Sequence, residues 1–325
     1  RTSSSAASDV YKRQVIAILT TVFGVTTSLG LGTVQISAGL NHVFEINENF
    51  INQLMIIAFI TAIGLVSVSL GLDSGIKKLS QINMVLAISL LLFIFILGPT
   101  IFIINALIQN FGAYLNTLIQ SATWTEVYND TSWQNGWTLF YYAWWFAWAP
   151  FVSLFIARIS YGRSIKEFII GVLFVPSAIV FIWMGVFGNA AIYQVINETS
   201  QISEMVNSNL PVALFTLFDV YPIAQFLSIL SLILIVTFFV TSSDSGALVA
   251  SMLSSKSQSN INDDSPMLSR ITWAILLGVL AAVLLYAGGL TALQTSVVIT
   301  GVPFALIVVF ACKQFLKSLK EEIIN

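Results

Sequence analysis

Between Trp137 and Phe168 the chain reads WTLFYYAWWFAWAPFVSLFIARISYGRSIKEF. Trp137, Tyr141, Tyr142, Trp144, Trp145 and Trp148 fall within about three helical turns there, ahead of Pro150. Aromatic faces carry negative quadrupole charge, so a cluster of them can hold a cation without a countercharge. In a helix Tyr141, Trp145 and Trp148 share one face at i, i+4 and i+7, and Trp137 and Trp144 share the adjacent one. An interfacial aromatic belt is the competing reading. It accounts for Trp137 and Tyr141, but not for Trp144, Trp145 and Trp148, which continue toward mid-span. A quaternary ammonium suits such a site, because it offers no hydrogen-bond donors and a desolvated cation–π contact is worth about 2 kcal/mol per ring.

Two further segments place polar residues where an apolar helix should not have them. FFVTSSDSG, Phe238 to Gly246, sets Thr241, Ser242, Ser243, Asp244 and Ser245 in succession. Hydroxyls and carbonyls released at a helix break are the hard oxygen ligands of a sodium ion. The alternative is Ser and Thr bonding back to their own helix. Asp244 is expected to pair with a loop arginine or cap a break. TTVFGVTTSLGLGTVQ, Thr20 to Gln35, carries Gly24, Gly30 and Gly32, which permit close packing or local unwinding. Thr21, Thr26, Thr27 and Ser28 beside them are weaker candidates for ion ligands.

These segments must be positioned by membrane helices. The chain is 57% hydrophobic and 9% charged, with a mean hydropathy of +0.90. A soluble domain carries roughly 25% charged residues. Apolar runs of about 20 residues complete the case for an all-α polytopic membrane protein. Eight spans are expected near 15–40, 51–72, 84–107, 138–159, 168–193, 224–253, 271–286 and 290–315. Lys77, Lys78, Arg158, Arg163, Lys166, Lys256, Arg270, Lys313, Lys317 and Lys320 fall in alternate loops or the C-terminal tail. The intervening loops hold Glu45, Glu48, Glu126, Asp130, Glu198, Glu204 and Asp219 without a basic residue. The positive-inside rule then puts both termini on the cytoplasmic side of the plasma (inner) membrane.

Two outer connections are semi-apolar. In 106–123, Leu107, Phe111, Leu115 and Leu118 recur at three or four residues, the pattern of an amphipathic helix lying in the interface. Residues 203–221 either do the same or pack as an ordinary loop. Residues 1–14, RTSSSAASDVYKRQ, are polar and lack the apolar centre of a signal peptide. They are expected to be a non-native or disordered stretch before a transmembrane domain at 15–316 and a short tail at 317–325.

Enzyme constellations are missing from the sequence: no HExxH, no Ser-His-Asp set and no phosphate-cradling glycine loop. His42, the only histidine, is expected to be solvated in a short loop, and the single Cys312 excludes an internal disulfide. Basic residues are scattered, so nothing points to nucleic acid, and no cofactor is called for.

Taken together, the aromatic span, GLDSGIKKLSQIN (71–83), FFVTSSDSG and AGGLTALQTSVVITGVPF (287–304) resemble the betaine/choline/carnitine transporter family from Val15 to Lys320. The resemblance implies a LeuT-like inverted-repeat fold whose first repeat is incomplete here. It implies Trp145 as a member of an aromatic substrate box, with Phe140, Trp144 and Trp148 lining the pathway. It implies Phe238, Thr241 and Ser242 as half of one sodium site, and Phe151 with Thr21 at a second. Val25 stands where the family often has threonine, which puts that second site in doubt, and Tyr142 replaces the signature's middle tryptophan. The glycine-rich helix and the other box aromatics are expected before Val15, so the chain alone is expected not to transport.

Sodium symport is favoured over sodium-independent exchange, because the span 15–40 has no Lys or Arg to stand in for the ion. Proton symport and a non-transporting membrane module remain open. A LeuT-like amino-acid transporter predicts small residues in place of Trp144 and Trp145. The family's homotrimeric assembly is implied as well, with 106–123 as a contact.

Overall fold

The computed structural model describes residues 2–70, 77–129, 132–255 and 265–324. All regular structure among them is helical. Long helices α1 (Thr2–Phe44), α2 (Phe50–Leu70), α3 (Lys77–Leu97) and α4 (Thr100–Ala122) come first. Next come α5 (Phe140–Ile159), the short α6 (Ile165–Ile169) leading through a wide π-type turn into α7 (Val175–Ile196), and two short helices, α8 (Ile202–Ser208) and α9 (Ala213–Phe218). The chain closes with α10 (Ala224–Ser254) and α11 (Met267–Ile324). In lipid every backbone group must be satisfied within its segment, and an all-helical chain of this composition does that.

Among the described residues, eight helical stretches are long and apolar enough to cross a membrane, counting α4 and taking α11 as one. The chain is an all-α polytopic membrane protein. α11 is in fact two helices joined at Gly288–Gly289, where Gly289 adopts φ 58°, a conformation that glycine reaches without a Cβ penalty. Dividing α11 there and laying α4 in the interface also gives eight spans. The third expected span is shorter than the sequence indicated, because Gly98 and Pro99 end α3 and start α4.

α1 and α10 form the centre. α1 packs against α10, α11, α5 and α2, and α10 also meets α3 and α2. Glycines on α1 permit this closeness: a Cβ on Gly24 would sit 3.1 Å from the backbone and Cβ of Ala147 on α5. The α1 helix is continuous, so its glycines serve packing and the local unwinding considered for them does not occur.

Three expectations about the outer face are corrected. The end of the second outer connection, 212–218, turns inward with Phe215 and Phe218 fully buried, which favours packing over an interfacial helix there, while most of 203–210 stays exposed. His42 lies in the last turn of α1, and its Nε2 is 3.0 Å from Asp219 Oδ1. It is therefore neither in a loop nor left to solvent alone. α4 begins at Thr100, earlier than the pattern implied, and is anchored on α7: Phe111 meets Phe181 edge to face at 5.6 Å, and Asn110 donates to Asn189 at 3.2 Å. The loop residues Asp130 and Lys256, and 71–76 of the GLDSGIKKLSQIN segment, lie outside the described residues.

Candidate substrate and ion sites

The inner face of α5 is made of Phe140, Ala143, Ala147 and Phe151, all buried. Small residues at its centre admit two neighbours: Ala147 receives Gly24 of α1, and the Ala143 backbone receives Gly301 of α11. Phe140 stacks on Trp144 at 5.5 Å and 18°, and packs with Leu31 and Val297. Phe151 meets Trp148 edge-on at 5.5 Å within a cluster that includes Val22, Val25 and Ala247.

Beside this face, the two half-buried indoles are tied down by their edges. Trp144 Nε1 donates toward Ser28 Oγ at 3.2 Å and the Gly24 carbonyl at 3.4 Å. Trp148 Nε1 reaches the same pair at 3.1 and 3.3 Å. Ser28 Oγ donates its own proton to the Gly24 carbonyl at 3.1 Å, so both of its lone pairs are left for the indoles. An indole has a single N–H. Fixing it on α1 sets the plane of each ring and removes the only donor that could compete for a ligand.

Tyr141, Trp144, Trp145 and Trp148 then line an open concavity of about 170 Å³ whose walls are almost wholly apolar. Trp145 is 59% exposed and meets Tyr141 edge to face at 6.1 Å. The face read from the sequence, Tyr141, Trp145 and Trp148, is thus brought together and extended by Trp144. Phe140 supports Trp144 from behind and does not line the concavity. Tyr142 and Trp137 are exposed and do not line it.

The polar run of α10 departs from expectation: the helix is unbroken from Ala224 to Ser254. Thr241 donates to the carbonyls of Phe238 at 2.9 Å and Thr237 at 3.1 Å, and Ser242 donates to Phe238 at 2.9 Å. Hydroxyls satisfied one turn back make a break unnecessary. The Phe238 ring is exposed. Asp244 is fully buried and accepts from Ser67 of α2 at 2.5 Å and from the adjacent Ser245 at 3.3 Å. It has no arginine partner among the described residues.

Around the second expected ion site, Thr21 is buried and its hydroxyl has no hydrogen-bond partner; Thr26 is alike. Thr27 instead donates to the Leu293 carbonyl at 3.0 Å, joining α1 to α11. The methyls of Val25 lie against Gly246, where a Cβ would come within 2.7 Å of them. Ser28, a candidate ion ligand in the sequence, is instead the indole anchor, and Asn83 of α3, singled out by nothing in the sequence, donates to Thr241 Oγ1 at 3.2 Å.

The model of the betaine/carnitine/choline family transporters matches residues 13–324. The chain belongs to this family. It is 41% identical over 305 residues to a glycine betaine transporter of Acinetobacter baylyi, covering 94% of this chain and 46% of that protein. A glycine betaine/proline/choline/ectoine transporter of Vibrio parahaemolyticus is 41% identical over 313 residues, 95% of this chain and 54% of its own length. The high-affinity choline transport protein of Escherichia coli is 38% identical over 309 residues, 95% and 46%. As a member of the family, the chain spans about half the length of these curated relatives.

Proposed function

We propose that this chain is part of a secondary active transporter that carries a quaternary ammonium solute, glycine betaine, choline or carnitine, coupled to sodium. The observation that carries the reading is the concavity lined by Tyr141, Trp144, Trp145 and Trp148, in which the N–H groups of Trp144 and Trp148 are turned onto α1. Such a wall attracts a methylated ammonium through its quadrupoles, and the N–H groups of Trp144 and Trp148 are not left facing a group that cannot accept a hydrogen bond. Membership in the family and the names of the relatives support the same substrate class.

In this reading the four aromatics form one side of the box. The rest lies in the portion of the relatives that this chain does not span, and the chain by itself binds weakly and does not transport. Sodium coupling draws support from the oxygens of Thr241 and Ser242 on α10 and from the absence of Lys and Arg between Val15 and Phe44. Hydroxyls that have placed their protons locally keep lone pairs for a cation.

The test is uptake of labelled betaine, choline and carnitine by cells producing the gene's full-length product, with sodium present or replaced by an organic cation. Saturable uptake that needs sodium is the expected result. Saturable uptake indifferent to sodium removes the coupling, and no saturable uptake of any of the three removes the substrate assignment.

A further inference from the structure

Asn83 sits in the second turn of α3 and is 3% exposed. Its side chain faces the polar run of α10, with Nδ2 3.2 Å from Thr241 Oγ1. Thr241 fixes the direction of this bond. Its single hydroxyl proton is already committed to the carbonyls one turn back, so its oxygen accepts and the amide must donate. Asn83 Oδ1, the other arm of the same amide, takes no part in that bond, and it is buried with no hydrogen-bond partner. A buried carbonyl oxygen left in that condition is unfavourable and calls for an explanation.

We infer that Asn83 Oδ1 is a ligand of the transported sodium ion, acting with the hydroxyl oxygens of Thr241 and Ser242. The inference rests on the sodium coupling proposed above and assigns a residue of α3 to that site. An amide oxygen and two hydroxyls are hard and neutral. Neutral oxygens suit a monovalent cation, whereas divalent ions draw carboxylates or imidazoles, and no cluster of three such groups occurs among the described residues. Asp244, the nearest acid along α10, has its oxygens occupied by Ser67 and Ser245. An asparagine that merely joined two membrane helices would use its N–H in the same way. That role gives the oxygen nothing to do.

The two roles separate when the oxygen is kept and the donor removed. Asn83→Asp keeps an oxygen at the ion and loses the N–H to Thr241; Asn83→Leu loses both with little change in volume. Sodium activation of betaine uptake by the full-length gene product is measured for each. The half-activating sodium concentration should rise at least about tenfold in Asn83→Leu and stay within about threefold of the parent in Asn83→Asp. Unchanged activation in Asn83→Leu overturns the inference, as do equal losses in both variants, which would assign the effect to the bond with Thr241. A parent protein whose uptake ignores sodium overturns the coupling itself, and this assignment with it. If Asn83→Leu does not reach the membrane, Asn83→Ala is read by the sodium-dependent rise in Tm of the purified protein. The rise should vanish in Asn83→Ala and persist in Asn83→Asp; its persistence in Asn83→Ala also overturns the inference.

Discussion

The aromatic stretch of α5 and the polar run of α10 dispose of their polar atoms in opposite ways. On α5 the indole N–H groups of Trp144 and Trp148 cross to another helix and converge on Ser28 and the Gly24 carbonyl. On α10 the hydroxyls of Thr241 and Ser242 stay within their own helix. The first arrangement orients ring faces by holding their edges, and it depends on a close fit between α1 and α5. The second leaves the helix unstrained and keeps oxygen lone pairs in reserve. A face-on cation site therefore needs tertiary packing, while an oxygen site needs only proximity to a partner such as Asn83.

The contrast breaks first where α5 is packed most tightly. A Cβ on Gly301 would fall 3.0 Å from the carbonyl carbon of Ala143 and closer still to its oxygen, and backbone cannot yield as a side chain can. Gly301→Val should lower stability by about 3 kcal/mol, read as a drop in Tm in detergent. Gly112→Ala on α4, where nothing lies within 4 Å, should leave Tm unchanged or slightly raised. Equal Tm values for the two variants would contradict the close approach of α5 and α11.

Trp145→Leu comes next in size. Loss of one desolvated cation–π contact, about 2 kcal/mol, predicts a rise of roughly thirtyfold in the apparent KM for betaine or choline. Its exposure predicts an unchanged Tm, so kinetics and stability should separate. Ser28→Ala tests the anchoring. It removes one of two acceptors from both indoles, worth about 1 kcal/mol, and should raise KM roughly fivefold with kcat retained. A KM that does not move would mean the anchors fix nothing the substrate feels. The smallest effect belongs to Thr237→Val, whose hydroxyl bonds back to the Ile233 and Leu234 carbonyls outside the proposed ion set. Sodium activation should stay the same and stability should shift by less than about 0.5 kcal/mol. A marked loss of sodium activation would widen the ion site beyond Thr241.

Much of this architecture was legible in the sequence. The apolar runs gave the helices, and the separate spans expected at 271–286 and 290–315 already divided α11 where Gly288 and Gly289 bend it. The aromatic face was legible too, since i, i+4, i+7 spacing fixes which rings share a side. What one helix cannot reveal is its partner. The indole anchors needed Gly24 and Ser28 of α1 to meet Trp144 and Trp148, more than a hundred residues apart in sequence. The break assigned to FFVTSSDSG failed for a similar reason: a run of hydroxyls reads the same whether it lines an opening or bonds one turn back. Asn83 carried no signal within 71–83 because its meaning depends on Thr241. The inward turn of 212–218 was hidden by the same dependence, Phe215 being buried against α1 and α10 rather than by its own neighbours.

The central claim is that the faces of the α5 aromatics, Trp145 foremost, hold the positive charge of the substrate. It is tested most directly by competition between choline and its uncharged carbon isostere, 3,3-dimethylbutanol, in the full-length gene product and its Trp145→Leu variant. The two ligands share shape and hydroxyl and differ only in charge. The parent should prefer choline strongly, and Trp145→Leu should shrink that preference by roughly thirtyfold, the equivalent of one cation–π contact. A preference that survives the substitution unchanged would contradict the account, because Trp145 would then be contributing shape without recognising charge.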